Sequence, residues 1–164
     1  MAIIKFREKK GISIIEILIV IAIIIIALTS LLSIVTLSLK ISIQIKERTQ
    51  AVNLAQEAVD AVRSIRDNDW TKLTNGNHGL TNAGGYWDFV GTENIINGFS
   101  RKILIEDVYR DNTPGDSEAT DDIETDGIIE ASDYLDPDTK KITATVSWKE
   151  RKVEIVTYLT NWKQ

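Results

Sequence analysis

ILIVIAIIIIALTSLLSIVTLSL, residues 17–39, is a run of 23 residues without a single charge. At about 1.5 Å of rise per residue, a helix of this run reaches about 34 Å, enough to cross a hydrocarbon core of about 30 Å. A cleaved secretory signal has a shorter apolar region that ends in a small-residue cleavage site, and no A-x-A follows this run. Lys5, Arg7, Lys9 and Lys10 stand directly before it. A basic flank of that kind is retained in the cytoplasm, so residues beyond Leu39 are expected to face outward.

Working outward toward the N-terminus, Glu16 interrupts an apolar stretch that begins at Ile12 and is otherwise broken only by Ser13. A carboxylate in lipid costs up to a few kcal/mol, so it marks a function, a partner, or a position close enough to the interface to reach headgroups. The order of residues narrows the choice. A basic stretch ending in Lys10 is followed by Gly11, Ile12, Ser13, Ile14, Ile15, Glu16 and then the long apolar run.

This order resembles the N-terminal signal of bacterial type IV prepilins and of type II secretion pseudopilins, and the resemblance covers roughly residues 5 to 40. It implies that a membrane-embedded prepilin peptidase cuts after Gly11 and methylates the new N-terminal amine, that of Ile12. It also implies that Glu16 pairs with the N-terminal amine of a neighbouring subunit. The chemistry is sound, because a free α-amine is cationic at neutral pH and a buried carboxylate strongly favours such a partner. Major pilins often carry a proline or glycine within the apolar helix, whereas residues 17–39 contain neither. Thr29, Ser33 and Thr36 instead fall on one helical face, either where membrane helices pack closely or bonding back to their own carbonyls.

The helical pattern continues past the apolar run. Apolar residues at 51, 52, 54, 55, 58, 59, 61, 62 and 65 form a broad stripe opposite Gln50, Asn53, Gln56, Glu57, Asp60, Arg63 and Ser64. The spacing predicts one helix from Ile12 to about Arg66, roughly 80 Å long. The expected fold class is α+β and pilin-like: a long N-terminal helix, membrane-spanning in its first half and amphipathic in its second, packed on a small antiparallel sheet. Four segments are expected: a cleaved basic leader, 1–11; a transmembrane and filament-core helix, 12–39; its amphipathic continuation, 40–66; and an outward-facing β domain, 67–164.

Residues 67–100 are rich in Asn, Gly and Thr and read as an irregular connection with one short strand. His78 has no second ligand at metal spacing and reads as a solvated loop residue. Lys102 to Tyr109 reads as a strand. Ile142, Ala144, Val146 and Trp148 alternate with Thr143, Thr145 and Ser147, the pattern of a half-buried strand. Lys149 to Lys152 form a charged turn, and Val153 to Leu159 return as a further strand. The expected result is a meander of three or four strands covering the stripe at 51–65. Trp148 and Trp162 read as core or edge packing.

Between Glu106 and Asp138 there are 13 acidic residues and one basic one, Arg110. The expectation is a solvated acidic loop over 106–138. Within it Asp122, Glu124, Asp126, Gly127, Glu130 and Asp133 match positions 1, 3, 5, 6, 9 and 12 of a calcium loop, with Ile129 at the apolar eighth place. Glu at the third place, Asp where a bidentate Glu closes such sites, and Pro114 and Gly115 in place of an entering helix all depart from an EF-hand. A single calcium-stabilised loop is the expectation these residues carry. No cofactor is otherwise required. Calorimetry showing no calcium binding by a fragment from Lys46 onward would remove it.

Composition sets the remaining bounds. Removing residues 1–11, with four basic residues and Glu8, takes the 19 basic and 24 acidic residues to 15 and 23, and the formal charge from −5 to −8. That balance argues against general nucleic-acid binding, which needs a basic patch to release phosphate counterions. With no cysteine, one histidine, no G-x-S-x-G and no phosphate loop, no catalytic arrangement is legible. The expected partners are prepilin peptidase, other pilins or pseudopilins and an inner-membrane assembly platform. The expected location is the cytoplasmic membrane, N-terminus inside, and then a surface filament. The closing strands ending Thr160, Asn161, Trp162, with the high isoleucine content, resemble a minor pilin or pseudopilin more than a major subunit. The alternative is an unprocessed single-pass anchor whose outer domain binds a ligand.

Overall fold

A computed structural model describes residues 11, 13–110, 123 and 133–162. Helix α1 spans Ile14–Asn68 and is followed by a single 3-10 turn, Trp70–Lys72. Asp69 separates the two: its backbone N–H still donates to Ile65, while its carboxylate accepts from the Thr71 amide at 2.9 Å and so caps the turn. Six strands follow: β1 Gly76–Ala83, β2 Tyr86–Val90, β3 Asn94–Ile96, β4 Phe99–Arg110, β5 Tyr134–Trp148 and β6 Arg151–Thr160. They form one antiparallel sheet in the order β2-β1-β4-β5-β6, with β3 pairing alongside β4. The class is therefore α+β, a long N-terminal helix packed on a small antiparallel sheet.

The chain divides into two compact units between Lys46 and Glu47. In the first, every described residue from Gly11 to Ser42 is exposed, and the helix is long and apolar enough to cross a membrane.

In the second unit the stripe behaves as its spacing predicts: Ala51, Ala55, Ala58, Val59, Ala61, Val62 and Ile65 are buried. Four of these are alanines, whose small side chains let the helix lie close on the sheet. Ala51 and Ala55 meet Phe99, Val146 and Trp148. One to four turns further on, Ala58, Val62 and Ile65 meet Ile103, Ile105, Ile142, Ala144 and Leu159. The alternation in β4 and β5 thus turns one face of each strand onto the helix.

Three expectations are corrected. Residues 67–100 hold three strands, not one, and the sheet has six in place of three or four. The missed signal is Gly84–Gly85, with φ of +76° and +86°, the mirror-image turn that closes a two-residue hairpin between Ala83 and Tyr86. The polar strand β1 is held by its ladder on both sides, not by apolar alternation.

His78 is not a solvated loop residue. It lies in β1, its Nε2 is 2.8 Å from the Thr74 carbonyl, and its ring leans on Phe89 with centroids 4.6 Å apart.

The acidic segment is also shorter than 106–138, because residues 106–110 belong to β4 and 134–138 to β5, in register from Arg110↔Tyr134. Arg110 bonds Asp136 at 2.6 Å, Lys140 pairs with Asp107, and Lys141 lies 3.6 Å from Glu106. Cross-strand charge pairing turned these residues into ladder. The ladder register shifts between Asp107 and Val108, opposite the stretch holding Pro137, a residue confined to such irregularities because it cannot donate.

Candidate membrane span and assembly site

Ser13 closes the first turn of α1: its carbonyl accepts from the amides of Glu16 (3.0 Å) and Ile17 (3.3 Å). Glu16 therefore lies in the first helical turn, where the exposed N–H groups and the helix dipole favour a negative charge. Its carboxylate has no hydrogen bond or ion pair among the described residues. Gly11 is exposed, a Cβ added to it would meet nothing within 4 Å, and its φ lies outside the left-handed region. Nothing among the described residues requires glycine there. Ile12, the residue after the expected cut, lies outside the described residues.

The hydroxyls of the span turn inward on their own helix. Thr29 donates to the Ile25 and Ile26 carbonyls at 3.0 Å, Ser33 to Thr29 at 2.9 Å and Thr36 to Ser33 at 2.9 Å. Of the two possibilities open for these residues, back-bonding is the one present in the single chain. It removes the cost of bare hydroxyls in an apolar medium.

Of the expected calcium ligands, Asp122, Glu124, Asp126 and Glu130 lie outside the described residues, as does Gly127. Asp133 stands just before β5. Among the described residues no three acids, histidines or cysteines gather as a metal site. On either side of the segment the strand ends hold perturbed carboxyls. The Lys140 ammonium, with help from Asn75, keeps the Asp107 carboxyl below its ordinary range. Burial pushes Asp136 up, but Arg110, Thr139 and the Asp138 amide together outweigh it and hold the carboxyl low.

Two sites escaped the sequence reading. Arg101 is 2% exposed, in line with Phe99, Ile103 and Ile105 on the inner face of β4. Its Nη1 donates to Glu57 on α1 at 3.2 Å and its Nε to Asn94 at 3.3 Å, and its guanidinium lies 5.6 Å from the Trp87 ring centre. The strand alternation carried the signal, since period two places residue 101 inside. The other site is Glu47. Its carboxylate accepts from Lys149 Nζ at 2.6 Å and from the Trp148 indole at 3.3 Å, and Lys149 holds it below the usual carboxylate range. Trp148 is buried against Phe99, as expected of core packing. Trp162 is largely exposed and donates to Asp67 at 3.1 Å, an edge contact.

No protein-family profile, no curated protein and no solved structure matches this chain.

Proposed function

We propose that this chain is a structural subunit, of the minor pilin or pseudopilin kind, of a membrane-rooted filament of the type IV pilus or type II secretion class. In this reading prepilin peptidase cuts after Gly11, Ile12 becomes the methylated N-terminus, and α1 holds the subunit in the cytoplasmic membrane until it enters the filament. The observation that carries the reading is Glu16: a carboxylate without a hydrogen bond or ion pair among the described residues, at the head of a helix whose apolar first half is exposed wherever it is described. A neighbouring subunit's N-terminal amine supplies the missing charge, and uncharged partner helices supply the missing cover. Gly11 adds support, because a glycine with no steric role among the described residues is accounted for by an outside reader such as a peptidase.

Co-expression with a prepilin peptidase and an intact mass tests this, with Gly11→Ala as control. Loss of residues 1–11 with one added methyl group is the expected result. A full-length chain that persists beside a peptidase active on another prepilin overturns processing and leaves a single-pass anchor.

A further inference from the structure

Three polar side chains from three separate parts of the second unit meet at the start of β1. Asp107 of β4 faces Lys140 of β5 across the ladder, and the two form an ion pair. Asn75 stands directly before β1, whose Gly76 pairs with Ile105 of β4. The Asn75 amide is held at both ends. Lys140 Nζ donates to its Oδ1 at 2.9 Å, and its Nδ2 donates to the Asp107 carboxylate oxygen that Lys140 does not use. Lys140 is largely covered, whereas Asn75 is exposed. Gly76, the next residue, has φ of +125° and nothing within 4 Å of where a Cβ would stand.

We propose that Asn75 is a site of spontaneous covalent change: the Gly76 backbone nitrogen closes on the Asn75 side-chain carbonyl, ammonia leaves, and water opens the resulting imide to aspartate or isoaspartate. The change does not depend on the filament reading and holds equally for an anchor. In the closing step a bond forms between the Gly76 nitrogen and Asn75 Cγ, and the Gly76 N–H proton passes to solvent. As the Cγ–Nδ2 bond breaks, Nδ2 takes up a proton from solvent and departs as ammonia. Water is the one co-reactant. Negative charge develops on Oδ1 during the attack, and the Lys140 ammonium is already aimed at that oxygen, where a donor set in place beforehand stabilises an oxyanion most effectively. Glycine at 76 brings its nitrogen to the attack without a side chain in the way, and with a backbone range that other residues lack.

The chain carries its own comparison, since Asn97 with Gly98 is its other Asn-Gly pair. Those two residues form the tight turn between Ile96 and Phe99, with φ of +51° and +84°. The Asn97 side chain has no hydrogen bond among the described residues, so no cation waits at its carbonyl. Lys140 is also near enough to attack Asn75 itself, its Nζ standing at most about 4.1 Å from Cγ. An ammonium held by a carboxylate has no lone pair to offer, however, so Lys140 serves as donor and not as nucleophile. The product alters the contact that made it. A carboxylate at 75 has no amide hydrogen for Asp107 and sets a second negative charge against it, which loosens the entry of β1 from β4.

The test incubates the full-length chain in detergent at neutral pH in heavy-oxygen water, which marks newly formed acid. Digestion and fragmentation then place the label at Asn75 or Asn97. Conversion at Asn75 is expected at about tenfold the rate at Asn97, the worth of one preset oxyanion donor in a half-wetted site. In guanidinium chloride, where the fold is gone, the two rates should converge. Lys140→Arg keeps a donor and should keep the preference, whereas Lys140→Met should lower it toward the unfolded ratio and leave the Asn97 rate unchanged. A ratio in the folded chain no greater than in guanidinium chloride overturns the proposal, and so does a preference that Lys140→Met leaves untouched. A lasting loss of ammonia, found as a peptide joining Asn75 to Lys140, would overturn it too by making Lys140 the attacking group.

Discussion

Arg101 and Glu57 join the beginning of β4 to the last quarter of α1 in the second unit, at 3.2 Å. The arginine is buried and the glutamate half-exposed, so the two ends of the pair respond differently to loss of the partner. Glu57→Ala leaves a buried guanidinium short of an acceptor and should cost about 2 kcal/mol. Arg101→Met keeps most of the volume and returns Glu57 to water, so it should cost less. Urea unfolding of the full chain in detergent, followed by tryptophan fluorescence, ranks the two. The opposite ranking would mean that the arginine stem, and not its charge pair, holds the sheet to the helix.

Gly79 and Gly11 should part company. A Cβ at Gly79 would stand 2.5 Å from the Val90 carbonyl oxygen and 2.6 Å from the backbone of Glu93, where no flexible side chain can yield. Gly79→Ala should therefore cost about 2–3 kcal/mol by overpacking and loosen β1 from β2. Gly11→Ala should leave the unfolding curve unchanged and abolish cleavage in the mass assay. A Gly11→Ala chain cut as efficiently as wild type would sink the peptidase assignment.

Glu16→Gln removes the charge but keeps the shape. Membrane insertion should hold or improve, since a carboxylate near lipid is costly. Cleavage after Gly11 should continue, and recovery of the chain in sheared filaments should drop at least tenfold. Normal filament yield from Glu16→Gln would show that the carboxylate has no assembly role.

Acid should weaken the distal end of the sheet first. Asp107 and Asp136 are held below the ordinary aspartate value of 3.8 by Lys140 and Arg110 among other groups. As pH falls the unfolded chain takes up these protons before the folded one does. Their stabilisation is therefore complete above that ordinary value and is lost as pH drops through the depressed folded values. Hydrogen exchange at β4 and β5 should rise between about pH 5 and pH 3, earlier than at the Ala58–Ile65 stripe. Lys140→Met should flatten the effect; an unchanged profile in that variant would discharge Lys140 from the role.

Much of this fold is legible in the sequence because its two strongest devices are periodic. The stripe at 51–65 repeats at helical spacing and β5 alternates from Ile142 to Trp148, and both bury the residues their periods select. Strands β1 and β2 are harder to see, since Asn77, Thr81 and Asn82 gain their place from ladder partners distant in sequence. Arg101 hides for a related reason: charge argues for the surface, whereas only the neighbours Phe99 and Ile103 reveal which face residue 101 takes. At the N-terminus Gly11 stands out in the sequence because helix formation does not call for it, and Glu16 because it is a charge in an otherwise apolar stretch. Ion pairs such as Glu47 with Lys149 depend on a turn about a hundred residues away and carry no local mark.

The lengths of the two connections to β5 have a kinetic meaning. Strand β6 returns after a two-residue turn at Lys149 and Glu150, whereas β4 reaches β5 only across the chain from Arg110 to Tyr134. Closing a connection about tenfold longer costs about 2 kcal/mol more in chain entropy, so the C-terminal hairpin is the local event and the β4–β5 pairing the delayed one. The alanine stripe of α1 is made early but its cover is completed late, because Ile142, Ala144, Val146 and Leu159 belong to that hairpin and join Phe99, Ile103 and Ile105 of β4. Folding of the second unit then waits for β5 and β6, and a chain truncated before β5 would leave the helical stripe only the part of its cover that Phe99, Ile103 and Ile105 provide.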